Sequence, residues 1–378
     1  MNREKQLALL ATSLERATHN QRPLKGDEVL VATRDYTDEA RFERERERVF
    51  RRALNLVTLS SRVARPGDFI TAEVVGAPVL VARGNDGRLR AFLNVCRHRG
   101  ATVELRSSGN CKRFVCPYHA WTYENTGQLR RVRHQEGFPT LRMEQHGLVE
   151  LPCQEAAGLV FVCPTPNSSP PPLPEALVEE LEQVLGPCPT VHASTTRAWA
   201  ANWKLVVEGG IESYHFKIAH KDTIASVFGD TNSTWEPIGK HLRSVLPKAS
   251  ILELQGLPRE GWSLREHTHV VYTLHPNAMI LLQKSHFDLI VLTPLAVDST
   301  QIEVLTVGAA PPQGDLSPQA RAFFDKNHAF SLRTLDEDFA IAEQIQRGLH
   351  TGANTHFRFA RFEDALSHWR AQLDALIG

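Results

Sequence analysis

The side chains best suited to chemistry in this 378-residue chain sit in two short loops and one later helical stretch. The loops read "CRHRG" (Cys96 to Gly100) and "CPYHAW" (Cys116 to Trp121), giving Cys-x-His, a gap of seventeen residues, then Cys-x-x-His. Two thiolates and two imidazoles suit either a tetrahedral zinc or a [2Fe–2S] cluster. Zinc fingers usually pair cysteine with cysteine and histidine with histidine on one element, whereas each loop here supplies one of each. That mixed pattern fits a cluster in which two cysteines hold one iron and two histidines the other.

The later stretch, "IESYHFKIAH" (Ile211 to His220), carries Glu212, His215 and His220. Glu212 and His215 are three apart and share a helical face, but His215 and His220 are five apart, about 140° around an ideal helix. On a wheel from Leu205, the groups Glu208, Glu212 and His215 fall on the apolar side with Phe216 and Ala219. Ionisable groups on a buried face are costly unless paired or metal-bound. A hydrogen-bonded polar cluster and a metal site both satisfy that condition.

Composition bounds what surrounds these residues. Lysine plus arginine equals aspartate plus glutamate at 43 each, which leaves no global pull toward nucleic acid or a membrane surface. The most apolar region, "AMILLQKSHFDLIVLTPLAV", is interrupted by Lys284, His286 and Asp288 and reads as strands, not a membrane span. The opening "MNREKQLALLATSLERATHNQ" is a charged amphipathic helix without the apolar core of a signal peptide, and a cytoplasmic location is expected. Six cysteines are too few and scattered for a disulfide scaffold, so Cys111, Cys153, Cys163 and Cys188 read as packing or surface thiols. No phosphate loop or G-x-G-x-x-G is present, so the chain has no evident nucleotide site.

The elements that must position these groups fall into two patterns. From about Pro66, short β-branched runs such as "DFITAEV" and "PVLVAR" alternate with turn clusters such as "GNDG", the signature of a small antiparallel all-β domain. Both Cys–His loops follow such runs. The proline- and serine-rich "PTPNSSPPPLPEAL" is the best boundary candidate. Beyond it the pattern is α+β: a helix at about 175–186, alternating strands, and closing helices at about 316–347 and 360–376. The division expected is residues 1–45 as N-terminal helices packing on a catalytic domain, 46–164 as the β-rich domain and 165–378 as the catalytic domain.

"NVCRHRGA" and "CPYHAWTY" resemble the Rieske domain of ring-hydroxylating oxygenases, and "NWKLVVEGGIESYHFKIAH" resembles the iron-binding helix of the same family. The resemblance covers nearly the whole chain. It implies a [2Fe–2S] cluster on Cys96, His98, Cys116 and His119, with a potential of roughly −150 to +300 mV. It implies a mononuclear Fe(II) on His215 and His220, completed by a distant carboxylate in a facial triad. The 140° offset then requires the helix to end or distort before His220, and Gly209 and Gly210 suggest that it is already irregular. In "LRTLDEDFAIAEQIQ", Leu335, Phe339, Ala342 and Ile345 form an apolar stripe that contains Asp338, whereas Asp336, Glu337 and Glu343 point away. The family motif places its ligand at that same aspartate.

By the same resemblance Glu212 hydrogen-bonds His215 and bridges to the position of His119 in a neighbouring subunit, relaying electrons between the metals. Most members have aspartate there; those acting on quaternary amines carry glutamate. The implied fold is a β-rich Rieske domain plus a helix-grip catalytic domain with an antiparallel sheet, assembled as a head-to-tail homotrimer. The implied function is the terminal oxygenase of a Rieske system. An NAD(P)H-dependent reductase or ferredoxin supplies electrons, and O₂ hydroxylates a small cyclic or aromatic substrate. Oxidative demethylation or hydroxylation of a quaternary amine is the alternative, and a Rieske electron carrier the non-enzyme rival. A quaternary amine calls for an aromatic cage, yet aromatic residues are 7% of the chain and form no evident cluster. The pocket is expected near 229–235 and 278–286. Arg97, Arg99, Arg106, Lys112 and Arg113 read as a basic patch for an acidic donor protein.

Overall fold

The computed structural model describes residues 1–309 and 316–378. The chain forms two compact units. One comprises Phe50–Leu173 with Pro187–Thr190, the other Met1–Val49, Pro174–Gly186 and Val191–Gly378.

The first unit is all β. A five-stranded antiparallel sheet has the order Glu150–Leu151, Leu89–Leu93, Ala77–Arg83, Asp68–Val74, Ser108–Asn110. A three-stranded sheet of Arg113–Val115, Thr122–Glu124 and Leu129–Arg131 accompanies it. A second three-stranded sheet joins Cys153–Ala156, Leu159–Val162 and Asn55–Leu59. Phe69, Leu80, Phe92, Phe114, Trp121 and Tyr123 form the core, and Cys96 and Cys116 lie buried within it. The two thiols are therefore held by the packing itself, each at the start of a loop that leaves the sheet.

The second unit contains eight helices among the described residues: α1 (Arg3–Thr18), α2 (Glu39–Glu45), α3 (Glu175–Leu185), α4 (Trp203–Ile211), α5 (Phe216–Ala219), α6 (Leu264–His267), α7 (Pro318–Leu349) and α8 (Asp364–Ile377). Their starts are local. The side chains of Asn2, Asp38, Asn202 and Ser317 cap α1, α2, α4 and α7 by accepting from backbone N–H groups in the first turn. Pro318 opens α7, where its missing N–H costs nothing. A seven-stranded sheet runs in the order Pro189–Trp199, Ser299–Ala309, Phe287–Ala296, Ala278–Leu282, Thr268–Leu274, His241–Pro247, Thr234–Ile238. Every pair from Ser299–Ala309 to Thr234–Ile238 is antiparallel.

Helix α4 is the keystone of this unit, buried along almost its whole length. Fully buried Lys204 donates to both oxygens of fully buried Glu45 at 2.8 and 2.7 Å, and the Trp203 indole donates to the same carboxylate at 2.8 Å. Leaving either charge alone there would cost about 3–5 kcal/mol. One turn on, the Tyr36 hydroxyl donates to Glu208 at 2.7 Å, with the Arg370 guanidinium 3.9 Å away. The helix runs unbroken through Gly209 and Gly210, so those glycines do not distort it as the sequence suggested. A Cβ on Gly210 would overlap the Met279 sulfur; glycine there lets the helix lie close on the strand Ala278–Leu282. The break comes later, where Glu212 turns extended (φ −103°, ψ 166°) and α5 begins one short turn beyond.

Candidate metal centres and active site

The two Cys–His loops are the same turn built twice. The N–H of Gly100 donates to the carbonyl of Cys96 at 2.9 Å, and that of Ala120 to the carbonyl of Cys116 at 3.0 Å. Each cysteine N–H in turn donates to the residue after the loop, Ala101 at 2.8 Å and Trp121 at 2.9 Å. Gly100 and Ala120 both have positive φ, 77° and 62°, a conformation that costs alanine about 1–2 kcal/mol. The loops bring His98 Nδ1 and His119 Nδ1 to 3.1 Å of each other. His98 also stacks on Trp121 at 4.9 Å. The Tyr123 hydroxyl lies 3.3 Å from Cys96 Sγ and accepts the Arg97 N–H at 3.0 Å. Burial pushes the Cys116 thiol up, a penalty that a bound metal removes by taking the thiolate.

These four donors fit a two-metal cluster better than one ion. The two imidazole nitrogens meet on one side, 3.1 Å apart, and the two thiols lie together in the core, the separation by ligand type that a two-iron cluster uses. Cysteines deep and histidines near the surface give the arrangement expected for a Rieske cluster.

Among the described residues, one group does meet the single-ion geometry: His215, His220 and Asp338. His215 Nε2 lies 3.1 Å and His220 Nε2 2.9 Å from the same Asp338 oxygen, Oδ1. Each ring's other nitrogen is held by a second carboxylate. His215 Nδ1 contacts Glu212, and His220 Nδ1 contacts Glu337 at 2.7 Å. Carboxylate partners fix both Nδ1 atoms as N–H donors, so both Nε2 lone pairs face the Asp338 lone pairs. His215 Nε2 is buried, with Asp338 Oδ1 as its polar neighbour. Three lone pairs directed at one point need a cation between them. Without a metal, a proton must serve: burial would lower His215, but hydrogen bonds to Asp338 and Glu212 carry it up to about 10. Burial would likewise raise Asp338, and the two histidines hold it below its ordinary value instead. The residues fit a mononuclear metal bound by two imidazoles and a carboxylate.

The triad opens on a cavity of about 720 Å³. Six phenylalanines line it: Phe216, Phe228, Phe330, Phe339, Phe357 and Phe359. They come from segments more than a hundred residues apart, which is why no cluster shows in the sequence. The expected lining at 278–286 is met by Met279, Leu281, Gln283 and His286, but residues 229–235 do not reach the cavity; Ile224, Val227 and Phe228 form that wall.

Residues 189–378 match the family model for the ring hydroxylating alpha subunit (catalytic domain), and residues 54–142 match that for the Rieske [2Fe-2S] domain. The chain belongs to the ring-hydroxylating alpha-subunit family. It combines a Rieske [2Fe–2S] domain with a catalytic domain of the mononuclear-iron type. It is 37% identical over 196 residues to the carnitine monooxygenase oxygenase subunit of Escherichia coli (strain K12), covering 50% of this chain and 52% of that protein. It is 33% identical over 196 residues to the glycine betaine monooxygenase oxygenase subunit of Pseudomonas aeruginosa (strain UCBPP-PA14), covering 51% and 45%. The matched segments thus span about half the length of these curated relatives. The quaternary ammonium Rieske monooxygenase CntA superposes with a TM-score of 0.78 at 25% identity, covering 92% of this chain and 96% of that one. A naphthalene 1,2-dioxygenase from Rhodococcus sp. shares the fold at a TM-score of 0.74 and 19% identity, covering 97% of both chains.

Within this alpha subunit the sequence-derived site residues are all placed. Cys96, His98, Cys116 and His119 converge in the first unit, and His215, His220 and Asp338 in the second. Glu212 does contact His215, though across the turn after α4 and not along a shared helical face. Asp336 and Glu343 point away as expected, pairing with Arg197 at 3.0 Å and the Ala200 N–H at 2.9 Å. Glu337 does not: it reaches His220 and also accepts from Thr223 at 2.6 Å. The five basic residues beside the cluster loops are all exposed; Arg106 and Arg113 are paired with Glu104 and Glu124, whereas Arg97, Arg99 and Lys112 have no carboxylate partner among the described residues. No described helix is long and apolar enough to cross a membrane.

Proposed function

We propose that this chain is the terminal oxygenase of a Rieske system and that its substrate is a small quaternary amine. Cys96, His98, Cys116 and His119 hold the [2Fe–2S] cluster, and His215, His220 and Asp338 hold the mononuclear iron. When bound, the cluster stores single electrons and the iron activates O₂. The protein's own tasks follow from the geometry. Glu212 and Glu337 keep both Nδ1 protons in place, so that both Nε2 atoms stay available as ligands. The phenylalanine-lined cavity excludes water and holds the apolar part of the substrate. Electrons come from an NAD(P)H-dependent reductase, with or without a ferredoxin, that docks on the basic surface of Arg97, Arg99 and Lys112. In a head-to-tail homotrimer Glu212 connects the iron of one subunit with the cluster of the next.

The convergence of His215, His220 and Asp338 lone pairs carries this reading, because a Rieske electron carrier has no use for it. The relatives acting on carnitine and glycine betaine, together with glutamate at position 212, favour the quaternary amine over a cyclic or aromatic substrate. The test supplies the metal-loaded protein with NADH and a surrogate reductase. L-Carnitine, glycine betaine, γ-butyrobetaine, naphthalene and biphenyl are then compared by product mass and substrate-dependent NADH consumption. An oxygenated product from a quaternary amine is expected. Oxidation of only the hydrocarbons would overturn the substrate class. A cluster that cycles without any substrate-dependent O₂ uptake would overturn the oxygenase itself.

A further inference from the structure

Among the residues that line the cavity, Asp288 is only 1% exposed. It lies in an otherwise apolar strand, opposite Leu281 on one side and Thr306 on the other. Each carboxylate oxygen accepts one hydroxyl: Thr306 Oγ1 donates to Oδ1 at 2.7 Å and Ser331 Oγ to Oδ2 at 2.7 Å. Thr306 is oriented from behind by His328 Nδ1 at 3.0 Å, whose Nε2 meets Thr195 Oγ1 at 2.9 Å. This chain of neutral donors holds the carboxylate in place but supplies no positive charge. Among the described residues no lysine, arginine or histidine forms an ion pair with it.

The nearest basic groups do not fill that role. Burial holds both His286 and His328 below the usual imidazole value, in spite of Asp288. His286 is 6% exposed, lines the same cavity, and its Nδ1 has no hydrogen-bond partner. A buried carboxylate beside a cavity, hydrogen-bonded only to neutral hydroxyls, is a ready counter-charge for a cation bound in that cavity. Its position relative to the triad is set by α7. Ser331 and Asp338 are seven residues apart, about two turns and roughly 10 Å along one helical face. A small molecule with its charge at Asp288 therefore directs its other end toward His215, His220 and Asp338.

We infer that Asp288 is the counter-charge for an alkylammonium group of the substrate, with Leu281, Ile290 and Phe330 contacting its apolar substituents. This rests on the oxygenase reading above and specifies which side chain selects the substrate. The sequence showed only a charge interrupting a strand.

The test is a binding measurement that needs no turnover, so it can fail independently of the oxygenase reading. Choline, glycine betaine and L-carnitine are each titrated by calorimetry into the metal-loaded enzyme beside the isostere in which carbon replaces nitrogen and the positive charge is lost. For choline this is 3,3-dimethylbutan-1-ol, and for glycine betaine 3,3-dimethylbutanoate. At least one cation should bind about tenfold or more tightly than its isostere. In Asp288→Asn, which keeps the size of the side chain and one acceptor oxygen but removes the charge, that preference should fall to about twofold or less. Equal or undetectable binding of cation and isostere in all three pairs overturns the proposal without recourse to any variant. Full retention of the preference in Asp288→Asn overturns it as well.

Discussion

Glu212 and Glu337 do the same job for different histidines, and their consequences separate. Each accepts from the Nδ1–H of a candidate ligand, but Glu212 alone is assigned a path to a second metal. Carboxylates behind metal-bound imidazoles typically contribute about 10–100-fold to metal affinity. Glu337→Ala should weaken iron binding by about that factor, measured by titrating Fe(II) into the apo-protein, and Glu337→Gln should restore most of it by keeping an acceptor oxygen. Glu212→Gln keeps its acceptor too, so both metals should stay loaded. Single-turnover kinetics should then show slow oxidation of the reduced cluster. Loss of the mononuclear iron in Glu212→Gln would make Glu212 a ligand and sink its assignment as a relay. The sequence exposed one of these partners and hid the other. Glu212 shares the short stretch of its histidine, whereas Glu337 is brought to His220 by tertiary packing. Its position 100° from the apolar stripe looked outward because a wheel measures direction and ignores the reach of a longer side chain.

Helix α4 shows how an element can be built around charges that its own burial penalises. Complete burial pushes the Glu208 carboxyl up from 4.5 to about 7, and Arg370 and the Tyr36 hydroxyl offset only part of that cost. A carboxyl with a folded value above its unfolded one binds more protons in the folded state. Its contribution to stability is therefore fullest below about pH 4.5 and declines as pH rises through 7. Glu208→Gln removes this titration. The melting temperature of the variant relative to the parent should thus rise between pH 5 and pH 8, measured by calorimetry at both values. A difference that stays flat, or moves the other way, would show that Glu208 remains charged in the folded protein. Periodicity located this helix and put Glu208 on its buried side, but it carried the same face on through Ala219, past the break at Glu212. It could not reveal that Tyr36 and Arg370, more than 150 residues away on either side, would meet Glu208.

At the scale of the whole molecule, what the sequence disclosed follows from how local each feature is. The Cys–His loops and the alternating strands are local, and they could be read directly. The phenylalanine cavity and the setting of Asp288 depend on strands and helices drawn from the entire second unit, and no spacing rule encodes them. The same locality governs the metals. Each centre is built within a single compact unit, so neither needs the other in order to load. Cys116→Ser should abolish the Rieske EPR signal and leave the mononuclear iron, and Asp338→Ala should do the reverse; each variant alone should be inactive. Co-expression then discriminates between electron paths. In a head-to-tail ring every contact is heterologous, with one subunit's cluster facing its neighbour's iron. With random mixing, half the subunits supply a cluster and half supply an iron, so about a quarter of the junctions should be competent. Mixed oligomers should recover roughly that fraction of parental activity. If transfer occurs within a chain, no chain has both centres and recovery is zero.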